Sequence, residues 1–236
     1  MNLNTLQKKI KLIFFDIDGV LFDVADYKES SKKVGKSSWS AVFDQAGIYN
    51  EHERLKEMFI KGYFPSYTEW TDEACRVLQK HGLTKEKFMK IINGRPLMSG
   101  AKETLNELRK RGYKTVLITG TFKALAKKAE KLLGLDSIIA HCDLIFDEKG
   151  HLKEWKLIPC DFEGKIEYLN KLAMKFNLSP QECAYIGDEV NDVAVLKKAG
   201  LSIAFNSSKK EVKEAAHIII DKKYLREILK YFPPII

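Results

Sequence analysis

The chain has 236 residues, 45% of them hydrophobic and 31% charged, enough for one large domain or a core carrying a smaller unit, and too apolar for a disordered chain. Its formal charge of +8 comes from lysine pairs such as Lys8-Lys9, Lys127-Lys128 and Lys197-Lys198 scattered along the chain, which reads as solvated surface and speaks against a nucleic-acid partner. Cys75, Cys142, Cys160 and Cys183 form no Cys-x-x-Cys spacing, and residues 1–10 are polar and basic with no long apolar segment, so reduced thiols, a cytoplasmic setting and no membrane partner are expected.

The first strong signal is Lys11–Asp23, KLIFFDIDGVLFD. The apolar run Leu12–Phe15 predicts a buried strand, and Asp16 and Asp18, two residues apart, face the same way at its end. Gly19 lets the chain turn sharply after them. Two carboxylates at such a point suit a hard cation such as Mg²⁺, although a strand end with a capping aspartate gives the same pattern.

From Val24 to Pro96 the pattern turns helical. Trp39, Val42, Phe43 and Ala46 form one stripe, Trp70, Ala74, Val77 and Leu78 a second, and Phe88, Ile91 and Ile92 a third. No strand-like run occurs there, so residues 24–96 are expected to be a small helical cap inserted over the aspartate loop. Its aromatic residues, with Phe22 before them, fit either the core of the cap or a less polar pocket.

After Pro96 strands and helices alternate. A helix over Ala101–Leu108 ends at Gly112, and a buried strand over Lys114–Ile118 runs into Thr119-Gly120-Thr121. Leu125, Ala129, Leu132 and Leu133 mark a helix. Ile138–Phe146 and His151–Trp155 flank Glu148-Lys149-Gly150 and predict a β-hairpin. A helix opens near Gly164-Lys165, a strand at Cys183–Ile186 meets Gly187-Asp188, and a helix over Val190–Ala199 follows. Short strands at Leu201–Ala204 and Ile218–Ile220 precede a last helix carrying Leu225, Ile228, Leu229 and Phe232. The expected fold is α/β, a Rossmann-like parallel sheet core made of residues 1–23 and 97–236, with a hairpin flap at about 138–157.

Four polar clusters fall at loops of this fold: Asp16/Asp18, Thr119, Lys165 and Asp188/Asp192. Alone, Thr119-Gly120 reads equally as a helix cap and Lys165 as a surface lysine. Together, several carboxylates, a hydroxyl and an ammonium describe a site that binds Mg²⁺ and a phosphoryl group at once.

The succession DIDGVLFD, LITGT, a lysine opening a helix and IGDEVND resembles the haloacid dehalogenase superfamily of phosphohydrolases, and its phosphoserine phosphatase-like branch in particular. The resemblance implies Asp16 as the nucleophile forming an aspartyl-phosphate and Asp18 as the acid and base. It implies phosphate contacts from Thr119, Gly120, Lys165 and Asn191, and Mg²⁺ held by Asp16, Asp18 (through its carbonyl) and Asp188. Asp192 would hold metal-bound water or orient Lys165. The implied partner is a small phosphorylated substrate; oligomeric state stays open.

The chain also departs from that branch. Where its members carry a glutamate for the substrate ammonium, this chain has Ala25, between Val24 and Asp26. Where they carry an arginine for the substrate carboxylate, it has Ala74 or Cys75, with Arg76 beside them. The expectation is therefore a Mg²⁺-dependent phosphatase for a small phosphomonoester, with true phosphoserine phosphatase activity and a non-catalytic phosphate-binding protein as alternatives. The intact acid set argues against the last of these.

Overall fold

The computed structural model describes residues 3–24 and 37–235. A short helix α1 (Leu3–Lys9) leads into β1 (Leu12–Phe15), whose four residues are all fully buried. After it come the helices α2 (Ser38–Gln45), α3 (Tyr49–Ile60), α4 (Tyr67–Lys80) and α5 (Lys85–Gly94), then α6 (Ala101–Lys110). The chain continues through β2 (Lys114–Phe122), α7 (Lys123–Leu133), β3 (Ser137–Phe146), β4 (Leu152–Leu157) and α8 (Glu163–Lys175). It ends with β5 (Cys183–Gly187), α9 (Val193–Lys198), β6 (Leu201–Phe205), α10 (Lys210–Ala215) and β7 (Ile218–Ile220).

The seven strands form one Rossmann-like sheet in the order β4-β3-β2-β1-β5-β6-β7, parallel except for the β3–β4 pair. β1 lies at the centre, with Phe15 beside Leu117 of β2 and Ile186 of β5. Such a strand is covered on both faces, which is why it is apolar at every position. Side chains alternate between the faces: Ile13 and Phe15 join the core shared with α6, α7 and the helices inserted after β1, while Leu12 and Phe14 join the core under α8 and α9.

The inserted helices follow from their stripes. Ser37, Ser66 and Thr84 accept bonds from first-turn N–H groups of α2, α4 and α5, fixing where each helix starts. Trp39, Phe43, Trp70, Ala74, Leu78, Phe88, Ile91 and Ile92 are buried, as is Phe22, so this aromatic set builds the core between insertion and sheet. Tyr63 is an exception, 67% exposed. The hairpin docks on α4, where Gln79 Nε2 donates to the carbonyls of Leu152 (3.2 Å) and Lys153 (2.6 Å) and Trp155 Nε1 donates to Asp72 (2.7 Å).

Four expectations need correction. Helix α3 has no counterpart in the sequence reading, because only His52 and Leu55 of it are buried and no stripe marks it. Strand β2 runs on through Thr119-Gly120-Thr121 to Phe122, its pairing with β3 shifting register between Thr119 and Phe122. The expected helix over Val190–Ala199 is a 3₁₀ turn at Val190–Asp192 followed by α9. The last helix is 3₁₀ over Leu225–Tyr231.

That last turn is tied to the core by Arg111, whose Nη1 donates to the carbonyls of Leu229 (2.8 Å) and Phe232 (2.7 Å) while its Nε meets Glu107 (2.8 Å). Arg111→Ala should lower unfolding stability by about 2–3 kcal/mol, since bonds from a charged donor to carbonyls are lost. Urea denaturation measures it, with a shift in midpoint at constant slope expected.

Candidate active site

The parallel strands β1, β2 and β5 end together, and their C-terminal edge is where an open α/β sheet gathers ligands. Asp16 extends the β1 ladder by one bond, its N–H donating to the Ile186 carbonyl at 3.0 Å. By alternation its side chain shares the face of Leu12 and Phe14, the face covered by α8. From the first turn of α8, Lys165 reaches in and is 0% exposed.

Lys165 Nζ lies 3.0 Å from Asp16 Oδ1, 2.6 Å from Asp192 Oδ1 and 3.4 Å from Asp161 Oδ1. Burial disfavours the ammonium, but the charges of Asp16, Asp192 and Asp161 and the neighbouring Tyr185 outweigh it and hold the lysine well above its ordinary pKa. Asp192 is fully buried too. Its Oδ1 also accepts from Tyr185 Oη (2.7 Å), and its Oδ2 from the backbone N–H groups of Asp188 (3.0 Å) and Glu189 (3.2 Å). Both its oxygens are thus occupied by the protein.

Asp188 sits opposite, its Oδ1 buried without a hydrogen-bond partner. Burial, then Asp16 and Asp192, push its carboxyl well above the usual range. Asp16 is likewise pushed well up by burial, with Lys165 pulling the other way and Asp192 and Asp161 adding to the rise. One oxygen each from Asp16, Asp188 and Asp192 lie within 4.8 Å of one another. An orphaned carboxylate oxygen in an over-negative, all-oxygen cluster fits a hard divalent cation. Gly19 makes this packing possible: its φ is +83°, and a Cβ there would overlap the Asp188 carboxylate.

Asp18 stands apart from that trio. Its carboxylate turns toward the insertion, where the Ser38 N–H and hydroxyl each donate to one of its oxygens at 2.7 Å. Thr119 is 1% exposed, and its Oγ1 accepts from the Thr121 N–H at 3.2 Å. Asn191 borders the cluster through Asp161, to which its Nδ2 donates at 2.8 Å.

The structure thus brings Asp16, Lys165, Asp188 and Asp192 into direct contact range, with Thr119, Gly120, Asp18 and Asn191 around them. Three participants were missed in the sequence. Asp161 is four residues before Lys165, a spacing that matters only once α8 is known to start between them; Phe162 between them has φ +49°, a strained turn that aims both side chains inward. Ser38 and Tyr185 carry no local signal. Ala74 and Cys75 are fully buried, and Arg76 is an exposed partner of Asp72 (Nη2 2.8 Å) on the hairpin side of α4. Ala25 and Asp26 lie outside the described residues.

The sequence matches the family model of haloacid dehalogenase-like hydrolases over residues 10–200. The chain belongs to that family. A phosphoserine phosphatase of Methanocaldococcus jannaschii is 31% identical over 233 residues, covering 96% of this chain and 99% of that protein. One of Wolinella succinogenes is 30% identical over 229 residues, covering 94% of this chain and all of that one (100%). A solved phosphoserine phosphatase, a phospho-aspartyl intermediate analogue, superposes with a TM-score of 0.77 at 31% identity, covering 94% of this chain and 99% of that one. The haloacid dehalogenase-like chain described here therefore falls on the phosphoserine phosphatase-like branch and is a phosphomonoester hydrolase. Among the described residues no helix is long and apolar enough to cross a membrane.

The raised carboxyls have a consequence for stability. Asp16 and Asp188 hold protons more tightly folded than unfolded, so their contribution is fully present below the unfolded carboxyl pKa and is lost as pH rises through the raised folded values. A hard divalent cation should offset that loss. Its addition should raise Tm more at pH 7.5 than at pH 5, and scanning calorimetry at both pH values, with chelator as reference, measures the difference.

Proposed function

We propose that the chain is a Mg²⁺-dependent phosphatase that hydrolyses a small phosphomonoester through an aspartyl-phosphate on Asp16. The observation that carries this is the buried Lys165 between Asp16 and Asp192, next to the unpartnered Asp188 oxygen. The Lys165 ammonium, together with a cation taken up by the acid cluster, would offset the neighbouring acids and keep Asp16 ionised beside a dianionic group. Mg²⁺, held by Asp16, Asp188 and the Asp18 carbonyl, would supply positive charge to the phosphoryl oxygens.

Asp16 attacks phosphorus and the bond to the substrate oxygen breaks, with Asp18 giving that oxygen its proton. Asp18 then takes a proton from water, which attacks the aspartyl-phosphate, releases inorganic phosphate and frees Asp16. Ser38 holds the Asp18 carboxylate from the insertion side, and Asp192 orients Lys165. Thr119 donates to a phosphoryl oxygen. Because Asp16, Thr119 and Lys165 are all buried, we read residues 24–96 as a cap that moves aside for the substrate.

For the substrate, the exposed Arg76 and the buried Ala74 and Cys75 favour a phosphomonoester without the carboxylate of phosphoserine. The full-length similarity to proteins named phosphoserine phosphatase favours phosphoserine itself. A panel of phosphomonoesters with Mg²⁺ separates the two. We expect another phosphomonoester to exceed phosphoserine in kcat/KM, and Arg76→Ala to leave the phosphoserine rate unchanged. Phosphoserine ranking first, with a sharp fall in Arg76→Ala, would favour the second reading. In either case Asp16→Asn should lower turnover on the order of 10³-fold or more; wild-type rates in that variant would remove the mechanism.

A further inference from the structure

Two side chains of the helical insertion meet the core at a single atom. The Gly120 carbonyl oxygen accepts from Trp39 Nε1 at 3.2 Å and from the Tyr67 hydroxyl at 2.8 Å. That oxygen belongs to the peptide unit whose N–H is that of Thr121, and in a planar trans unit the two groups point in opposite directions. On the far side, the Thr121 N–H donates to Thr119 Oγ1 at 3.2 Å. A hydroxyl that accepts there still has its own proton to give. One rigid peptide plane therefore links two donors of the insertion to the Thr119 hydroxyl.

This peptide needs holding. It lies in the register shift between Thr119 and Phe122, outside the regular ladder with β3. It also follows a glycine, the residue that resists peptide rotation least. A side chain at position 120 would overlap the Asp161 carboxylate, so stiffening by substitution is closed to the sequence. The two donors are themselves braced. Trp39 packs on Phe122 (4.4 Å between ring centroids) and edge-on to Trp70 (5.5 Å), and Tyr67 stacks against Trp70 (5.3 Å, 25° between planes).

We propose that Tyr67 and Trp39 are positioning residues for phosphoryl binding, fixing the Gly120–Thr121 peptide so that the Thr119 hydroxyl proton points at the phosphoryl group. The inference rests on the role given to Thr119 above. It makes the phosphate site complete only when the insertion lies against the core, because both donors leave with it. Tyr67 is a dependable donor: burial, and then the charge of Asp161, hold its hydroxyl well above the ordinary tyrosine pKa.

The test is a double-mutant cycle on the Mg²⁺-loaded enzyme with an aryl phosphate as substrate and orthovanadate as competitor. Tyr67→Phe keeps the ring and deletes the donor. It should lower kcat/KM by about 3- to 10-fold and weaken vanadate by a similar factor, as one hydrogen bond warrants. In a Thr119→Val background the same change should cost less than about twofold, because the group it acts through is gone. In Thr119→Ser, which restores the hydroxyl, its effect should return. Trp39→Phe, lacking the indole N–H, runs the same cycle if Tyr67→Phe folds poorly. Equal costs in the wild-type and Thr119→Val backgrounds, or a fully active Tyr67→Phe, would overturn the proposal while leaving the phosphatase reading intact. A fully active Thr119→Val would remove the role given to Thr119 and the proposal with it, again leaving the phosphatase reading intact.

Discussion

The buried ammonium of Lys165 is the constraint on which the rest depends. Removing such a charge from water costs several kcal/mol unless partners offset it. Here the partners come from three segments far apart in sequence: Asp16 after β1, Asp161 before α8 and Asp192 after β5. The ammonium therefore ties these three segments together at one point. Asp192 passes the constraint on through Tyr185 and the backbone of Asp188 and Glu189, so the loops after β1 and β5 and the start of α8 form one electrostatic unit. One ammonium among so many carboxylates leaves the cluster negative, which is the condition under which a hard cation is taken up.

Around this unit the insertion reaches the C-terminal edge of the sheet through a few side chains. Ser38 grips both oxygens of Asp18, and Trp39 and Tyr67 share the Gly120 carbonyl. These bonds come from the first turns of α2 and α4, where the capping residues Ser37 and Ser66 set the position of the helix ends. The aromatic core behind them has no polar role of its own. It is the stiff backing that keeps these three residues aimed at the C-terminal edge of the sheet.

Three of the four motif clusters were legible because they follow an apolar run that reads as a buried strand, as with LIFF before Asp16 and CAYI before Gly187-Asp188; Lys165, on a helix, was legible only through the succession of motifs. The sheet and most of the insertion were legible for the same reason of periodicity. What escaped was weakly patterned or non-local. Helix α3 buries little, so nothing in its spacing distinguishes it from a polar loop. Ser38 is one serine among several, and only the fold brings it onto Asp18. Asp161 matters through a strained turn at Phe162, which no propensity announces. The sequence pattern puts Thr119 in a loop because Gly120 follows it, whereas the strand absorbs the glycine through a shift in register.

The position of β1 bears on how the chain acquires its shape. It is the first of the seven strands in chain order and the centre of the finished sheet, with Leu12 paired to Lys114 on one side and Cys183 on the other. Both neighbours lie far along the chain, and the whole insertion intervenes before the nearer one. Contacts of such long sequence separation form slowly, since a large loop must close before they give any stabilisation. On the ribosome the run LIFF therefore emerges long before its partners, a sticky segment with unpaired edges on both sides. The same strand that leads into Asp16 is the one most in need of shielding during biosynthesis, since its second edge stays open until β5 arrives.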